Sequence, residues 1–506
     1  MHSYDRPGQT AQLLEARARL LTDHAAYVDA STGEALSWTS LRSLTERWRS
    51  LAVDFRMPAR SRIGLVIADP LAFAGSYIAC LAAGLTTVPL DPRVPAAEVL
   101  AAAARLRVDV VATDRGDLMD SVTPQPLWHA GVGDIRGMRG AAADRWPSDG
   151  AALRPAALLE SSGTSGMPKV VPLEEAQLLA AAARIARHHH IRLGDRGYTP
   201  LPLFHVNAQV VGLLSTLVSG STLVVDNRFH ASDYWARVAE WRPTWLNTVP
   251  AMLATLAELA PPPETLARRV RFARSAAAPL RADVESRFER HAGIGVLQTY
   301  GMTEGASQLT ANPLDELMRR PGSVGLPVGV EVAVLDASGR TLDAGTAGIV
   351  HVRGEGVISS YLVAGDAARE RTRPARDAHG WLSTRDVGWF DDDGFLHLLG
   401  RADDVINRGG EKLYPIEIER VLIANPNVAG AIVVGTPDDR LGEVPVAYVV
   451  TRHNEDPAHE GDFARACAAE LPAHKRPVRI RRVRALPTGP TGKVLRNIRM
   501  LEEAAA

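Results

Sequence analysis

Ser161-Ser162-Gly163-Thr164-Ser165-Gly166-Met167-Pro168-Lys169 follows the apolar run Ala156 to Leu159. The run reads as a strand, and the nine residues after it read as a loop that wraps an anion. Four hydroxyls, two glycines and a lysine stand within the loop. Glycine lets backbone approach a ligand closely. Backbone N–H groups and hydroxyls donate to phosphate oxygens, and Lys169 adds a point charge. From Gly163 to Lys169 the spacing fits G-x-x-x-x-G-K, but Pro168 stands where the second glycine must be, and Val170 replaces the magnesium-binding hydroxyl. The loop is therefore not the common P-loop. Ser/Gly composition also suits a plain linker; the strand before the loop and the lysine closing it favour phosphate.

The chain around this loop has 506 residues, with 57 Lys and Arg against 58 Asp and Glu and a net charge of −1. That length exceeds one ordinary domain. The balance of charge points to neither nucleic acid nor an anionic membrane. Cys80 and Cys467 lie in unrelated segments, so no disulfide framework or cysteine-based zinc site is implied, and both read as small buried apolar residues. Met1 to Leu21 mixes charged with apolar residues and lacks a signal-peptide core. The longest apolar stretch, Val210 to Val225, is broken by glycine and hydroxyl residues. A span needs ~20 mostly apolar residues, so this stretch reads as a buried helix turning into a strand. A soluble, cytoplasmic protein without a membrane span is expected.

Before the loop, residues 1–60 read mostly as helix, with candidates at Glu15 to Leu21 and Leu41 to Phe55, followed by strands at Arg62 to Asp69, Thr86 to Leu90 and Val108 to Thr113. Helices at Leu71 to Leu85 and Ala96 to Leu106 separate them. This alternation predicts parallel sheet with helices on its faces. Residues 125–155 lose the pattern and read as a surface connection. Beyond the loop come a long helix at Glu174 to Ile191, then strands at Leu223 to Asp226, Trp245 to Thr248 and Val270 to Ser275. The three histidines His188 to His190 point in different directions on a helix and do not converge on a metal. After Pro321 the texture turns to alternating apolar and polar residues, as in antiparallel sheet, with Asp391-Asp392-Asp393-Gly394 as a hairpin turn rather than a calcium loop. A small α+β region follows Arg401. The expected architecture is α/β, with a large N-terminal domain of stacked α/β sheets plus a β region over residues 1–401 and a small α+β C-terminal domain over 402–506, which the family resemblance given below implies to be mobile.

The loop resembles the phosphate loop of the adenylate-forming superfamily of acyl-CoA synthetases, peptide-synthetase adenylation domains and luciferases. Further motifs follow in that family's order: Tyr300-Gly301-Met302-Thr303-Glu304, Ser383-Thr384-Arg385-Asp386, Gly400-Arg401-Ala402-Asp403, Gly409-Gly410-Glu411-Lys412 and Pro487-Thr488-Gly489-Pro490-Thr491-Gly492-Lys493. The resemblance covers nearly the whole chain. It implies ATP-dependent activation of a carboxylic acid to an acyl-adenylate with release of pyrophosphate, then transfer to the thiol of CoA. The alternative is a stand-alone adenylation enzyme serving a carrier-protein pantetheine, an amine or another nucleophile. The implied cofactors are ATP, Mg²⁺ and CoA or carrier phosphopantetheine.

By the same resemblance Ser161, Ser162, Gly163, Thr164, Ser165, Gly166 and Lys169 hold the β and γ phosphates, and Glu304 holds Mg²⁺. Thr303 bonds the α-phosphate, and Tyr300, Gly301 and Met302 with Ala276, Ala277 and Ala278 lie about the adenine. Asp386 and Arg401 take the ribose. Lys493 is the mobile cation between carboxylate and α-phosphate, Asp403 the hinge, and Gly409 and Gly410 border a thiol tunnel. Phe204, His205, Asn207 and Ser307 line the acyl pocket.

Within the superfamily the chain is closest in look to oxalate–CoA ligase-like synthetases, through the Pro202-Leu203-Phe204-His205-Val206 run, Asn312-Pro313, the run at 321–329 and Asn407 to Lys412. It departs from that pattern at Asn207 and near Ser307, where the group has histidines, and at Ala276 and Ala277, where it has Cys and Ser. Those changes remove polar anchors. A less polar acid of small or medium size is therefore expected.

Overall fold

The computed structural model describes residues 8–121, 125–139, 146, 151, 153–161, 169–363, 370–452, 460–487 and 495–505. The chain divides into two compact units, Met1–Val332 with Val352–Leu382, and Ala333–His351 with Ser383–Ala506. This division differs from a boundary at 401/402. Leu382–Phe390 and Leu396–Arg401 pair antiparallel through the turn at Asp391, and Leu396–Arg401 also packs against the helix Pro415–Ile423, which ties residues 383–401 to the C-terminal part of the chain.

The first unit holds two nine-stranded sheets. One has the order Leu326–Pro327, Ser307–Ala311, Val296–Met302, Phe272–Ser275, Trp245–Thr248, Arg196–Thr199, Thr222–Val225, Ala25–Asp29, Ala35–Ser37. From Val296–Met302 to Ala25–Asp29 all neighbours are parallel. Every residue of Phe272–Ser275 and Trp245–Thr248 is buried, as in sheets covered on both faces. The other sheet centres on the fully buried strands Arg62–Val66, Thr86–Pro89 and Val110–Thr113. The helix Pro70–Ala82 is buried at every position. Its sequence is apolar all round, as an interior helix must be. Asp69 caps it by accepting from the Ala72 N–H at 2.7 Å, with Pro70 in the first turn.

One expectation is incomplete and another fails. Residues 8–60 are mostly helix, in Gln9–Leu21 and Trp38–Asp54, but between these helices Ala25–Asp29 lies parallel to Thr222–Val225 in the first sheet. Its sequence is too short to show a period, and Asp29 ends it by accepting from the N–H groups of Ser31 and Thr32. Residues 125–155 are not merely a surface connection. Leu127–Gly131 extends the second sheet parallel to Val110–Thr113, and Asp134–Arg139 closes its edge. Trp128 is fully buried between Trp48 and Phe55, with ring centroids 5.6 and 5.4 Å away. A polar edge strand hid an apolar one.

Ala208–Leu214 is a π-helix that runs into Ser215–Ser219 and then the strand Thr222–Val225, as expected of the broken apolar stretch. Among the described residues no helix is long and apolar enough to cross a membrane. Cys80 and Cys467 are both buried thiols.

The second unit contains a four-stranded sheet in the order Glu331–Leu335, Gly348–Arg353, Leu382–Phe390, Leu396–Arg401. Its other sheet is built on the long hairpin Val428–Asp438 and Gly442–Thr451, with Arg479–Arg482 added in parallel. Pro415–Ile423 and Glu460–Glu470 pack with this sheet around Ile418, Leu422 and Phe463.

Candidate active site

Ser161 ends the strand Ala157–Ser161 and Lys169 begins the strand Lys169–Leu173. The two are register partners across an antiparallel pair. The two ends of the loop therefore face each other, in a strand–loop–strand arrangement unlike the strand–loop–helix of a P-loop. Ser162, Gly163, Thr164, Ser165 and Gly166 lie outside the described residues.

Thr303 and Glu304 occupy a short 3-10 turn, Thr303–Gly305, between the antiparallel strands Val296–Met302 and Ser307–Ala311. The chain reverses through Ala306 at φ 53° and Ser307 at φ 92°, angles that L side chains adopt at a cost. Gly301 allows the closure. A Cβ there would stand 1.6 Å from the Ser307 carbonyl oxygen. The turn buries the Glu304 side chain, leaving the residue 5 % exposed. Its Oε1 accepts from the Tyr361 hydroxyl at 3.1 Å, and no basic residue pairs with it among the described residues. Burial, then the Glu304 charge, pushes the Tyr361 hydroxyl up, so it remains a donor. Lys169 Nζ lies 5.2 Å from the Tyr361 ring centre, and Arg373 lies 5.1 Å from it. The structure thus brings Lys169 over the ring and Glu304 to the hydroxyl of one tyrosine. A buried carboxylate with one donor keeps lone pairs for a hard cation.

Tyr300 and Met302 are half-buried against the core, while Gly301 is exposed. Ala276 is buried; Ala277 and Ala278 are exposed, and Ala277 takes φ 74°. In the second unit Asp386 and Arg401 are cross-strand partners, with Arg401 Nη1 donating to Asp386 Oδ1 at 3.1 Å. Asp403 is ion-paired with Arg385. Gly409 and Gly410 take φ 60° and 94° between Ile406–Arg408 and Glu411–Leu413. These are the angles of a tight two-residue hairpin turn, which alone accounts for two glycines. Lys493 lies outside the described residues.

Of the expected acyl-pocket residues, the Phe204 and His205 rings lie 4.3 Å apart, tilted by 52°, and Arg93 sits 5.0 Å from the centre of the Phe204 ring. Burial first, and Arg93 after it, push His205 down to about 4, so it is neutral at pH 7, and its buried Nε2 has no partner. Asn207 accepts from Arg274 Nη1 at 3.0 Å. Gln308, beside Ser307, approaches Arg274 Nη2 at 3.5 Å. Arg274 joins two of the expected pocket segments, yet the sequence reading passed over it, as it did Tyr361. An arginine inside the apolar strand Phe272–Ser275 was the available signal; for Tyr361 there was none.

The AMP-binding enzyme model matches residues 14–362, and the AMP-binding enzyme C-terminal domain model matches 417–493. A sulfoacetate–CoA ligase of Cupriavidus necator is 41 % identical over 352 residues, covering 69 % of this chain and 67 % of the relative. An oxalate–CoA ligase of Arabidopsis thaliana is 37 % identical, covering 70 % and 67 %. The o-succinylbenzoate coenzyme A synthetase of Bacillus subtilis, solved with ATP and a magnesium ion, superposes with a TM-score of 0.80 at 26 % identity, covering 96 % of this chain and 98 % of that one. On these matches and on the motifs described above, the chain belongs to the AMP-binding enzyme family of the adenylate-forming superfamily, as an AMP-forming acid–thiol ligase.

Proposed function

We propose that this ligase activates a small carboxylic acid with ATP and Mg²⁺ and passes the acyl group to the thiol of CoA. The observation that carries the reading is the buried Glu304 carboxylate, held by the Tyr361 hydroxyl at a strained turn and lacking a basic partner among the described residues. Such a group fits a magnesium ligand. The ion, when bound, would neutralise phosphate charge. A carboxylate oxygen of the acid attacks the α-phosphorus, the bond to the bridging oxygen breaks, and pyrophosphate leaves with the electron pair. The thiol sulfur then attacks the acyl carbon and AMP leaves.

The protein's work is positioning and charge compensation. Lys169 and the hydroxyls and N–H groups from Ser161 to Gly166 would grip the β and γ phosphates. Thr303 would donate to the α-phosphate. Tyr300 and Ala276 to Ala278 would flank the base, and Asp386 with Arg401 would take the ribose. Lys493 would stabilise charge between carboxylate and phosphorus. Asp403 would serve as the hinge between a 1–401 body and a mobile 402–506 body, with Gly409 and Gly410 admitting the pantetheine arm. Two relatives are named for short acids, sulfoacetate and oxalate, which supports a small substrate here. The near-zero net charge supports an enzyme without nucleic-acid partners.

A screen of carboxylic acids, following pyrophosphate, AMP and thioester with CoA, with a carrier protein and with neither, tests this. Pyrophosphate without a thiol, and acyl-CoA once CoA is added, are expected. Thioester formation that yields ADP and phosphate instead would overturn the reading. Asp403→Pro, which fixes φ, is expected to block thioester formation and spare adenylation; equal loss of both steps would remove the hinge from Asp403.

A further inference from the structure

Arg274 stands next to the C-terminal end of the strand Phe272–Ser275, the edge at which open parallel sheets bind ligands. It is 2 % exposed. Its acceptors are all neutral amides: Nη1 donates to Asn207 Oδ1 at 3.0 Å and to Asn247 Oδ1 at 3.3 Å, and Nη2 reaches Gln308 Oε1 at 3.5 Å. Arg274 Nε has no acceptor, and neither the buried Gln308 Nε2 nor the buried Ser275 Oγ has a partner. No carboxylate pairs with the guanidinium among the described residues. Burial pushes it down to about 9, which leaves it charged at neutral pH. The neighbouring His189 is fully buried and held neutral by burial and then by the Arg274 charge; an imidazole is neutral or cationic and offers no counter-charge.

A buried charge without a counter-ion is costly, and buried charges are normally paired. Amide oxygens answer the hydrogen-bonding need of Nη1 and Nη2 but not the charge. The missing element is an anion with at least one acceptor for Nε. In the proposed reading Lys169, Lys493 and the metal would answer the phosphates and the reacting carboxylate, whereas Arg274 is framed by Asn207 and Gln308, residues at or beside the expected acyl pocket. Gln308 pairs with Gly301, two residues before Thr303, and this closeness suits a short molecule.

We propose that Arg274, framed by Asn207 and Gln308, receives a second anionic group on the substrate acid, so that the enzyme activates one carboxylate of a short dicarboxylic or sulfonated acid while Arg274 holds its other end. The less polar acid expected from Asn207, Ala276 and Ala277 would leave this charge unmet. The proposal rests on the acyl-adenylate reading above and names its substrate class.

The test measures pyrophosphate release with short dicarboxylates and short sulfocarboxylates, each beside its monoamide and the monocarboxylate of equal length. For one dianion class or both, kcat/KM of the wild-type enzyme should exceed that of the neutral analogue by about 100-fold; the two arms show whether carboxylate or sulfonate is preferred. Arg274→Gln keeps donors and removes the charge. It should lower kcat/KM for the dianion by about 30- to 1000-fold, mainly through KM, and bring the dianion-to-monoamide ratio toward one. Arg274→Lys should restore part of that ratio. Equal use of dianions and neutral acids by the wild type overturns the proposal, and so does a Gln variant that loses all acids by one factor. Turnover of neutral acids alone refutes it while leaving the ligase reading intact; release with no acid of either class refutes both. The wild-type panel decides the matter even if the Gln variant does not fold.

Discussion

Gly301→Ala tests the geometry on which the nucleotide corner depends. The added Cβ would meet the Ser307 carbonyl oxygen at 1.6 Å, the Ser307 carbonyl carbon at 2.5 Å and Gln308 Cα at 2.9 Å. All three are backbone atoms, so no side chain can swing aside. An ordinary contact needs more than about 3 Å, so the strands Val296–Met302 and Ser307–Ala311 must part by roughly 1.5 Å at this point. That separation gives up the ladder bonds around Gly301↔Gln308 and Met302↔Ser307. At about 1 kcal/mol net for each of two bonds, with about 1–3 kcal/mol for overpacking, the expected loss is about 3–5 kcal/mol. The melting temperature should fall by on the order of 5–10 °C. Thr303 and Glu304 lie immediately beyond the disturbed pair, so stabilisation by Mg·ATP should shrink as well. Differential scanning calorimetry with and without Mg·ATP measures both effects. A variant that melts within about 1 °C of the wild type and gains the same stabilisation from Mg·ATP would refute the reasoning.

Tyr361→Phe removes the Tyr361 donor 3.1 Å from Glu304. A hydrogen bond to a charged group contributes about 1.5–3 kcal/mol, so lower apo stability and a higher Mg²⁺ midpoint for pyrophosphate release are expected; an unmoved midpoint would deny Tyr361 its positioning role. Lys493→Ala removes a preorganised charge of about 3 kcal/mol or more. Acyl-adenylate formation should fall at least about 100-fold while thioester formation from supplied acyl-adenylate survives, and a first half-reaction at the wild-type rate would remove Lys493 from it. His205 titrates near 4 in the fold against about 6.5 unfolded. The unfolded chain thus binds more protons between those values, and this contribution is complete above pH 6.5 and lost as the pH falls toward 4. His205→Gln should abolish up to about 3 kcal/mol of that fall in urea titrations. Glu285, raised to about 7 by burial and then by Glu289, acts in the opposite direction: its contribution is present below about 4.5 and lost as the pH rises through 7. The difference between wild type and variant is therefore the quantity to read, and equal slopes would place His205 in water.

The amino-acid sequence by itself determined the fold class and the family. Strand and helix periods at Arg62–Val66 and Pro70–Ala82, the Ser161 to Lys169 loop and the spaced motifs from Tyr300 to Lys493 are local patterns, written in consecutive residues. What escaped it was non-local. Ala25–Asp29 is a strand only because Thr222–Val225 lies beside it, and Leu127–Gly131 becomes interior only when Trp128 meets Trp48 and Phe55. Tyr361 approaches Glu304 across 57 positions and Arg274 reaches Asn207 across 67. Tertiary structure alone brought Arg274 to Asn207 and Gln308. The alanines at 276 and 277 read locally as lost polarity, whereas the charge that answers an anion is Arg274, whose lack of a counter-ion becomes visible only once the surrounding strands have buried it.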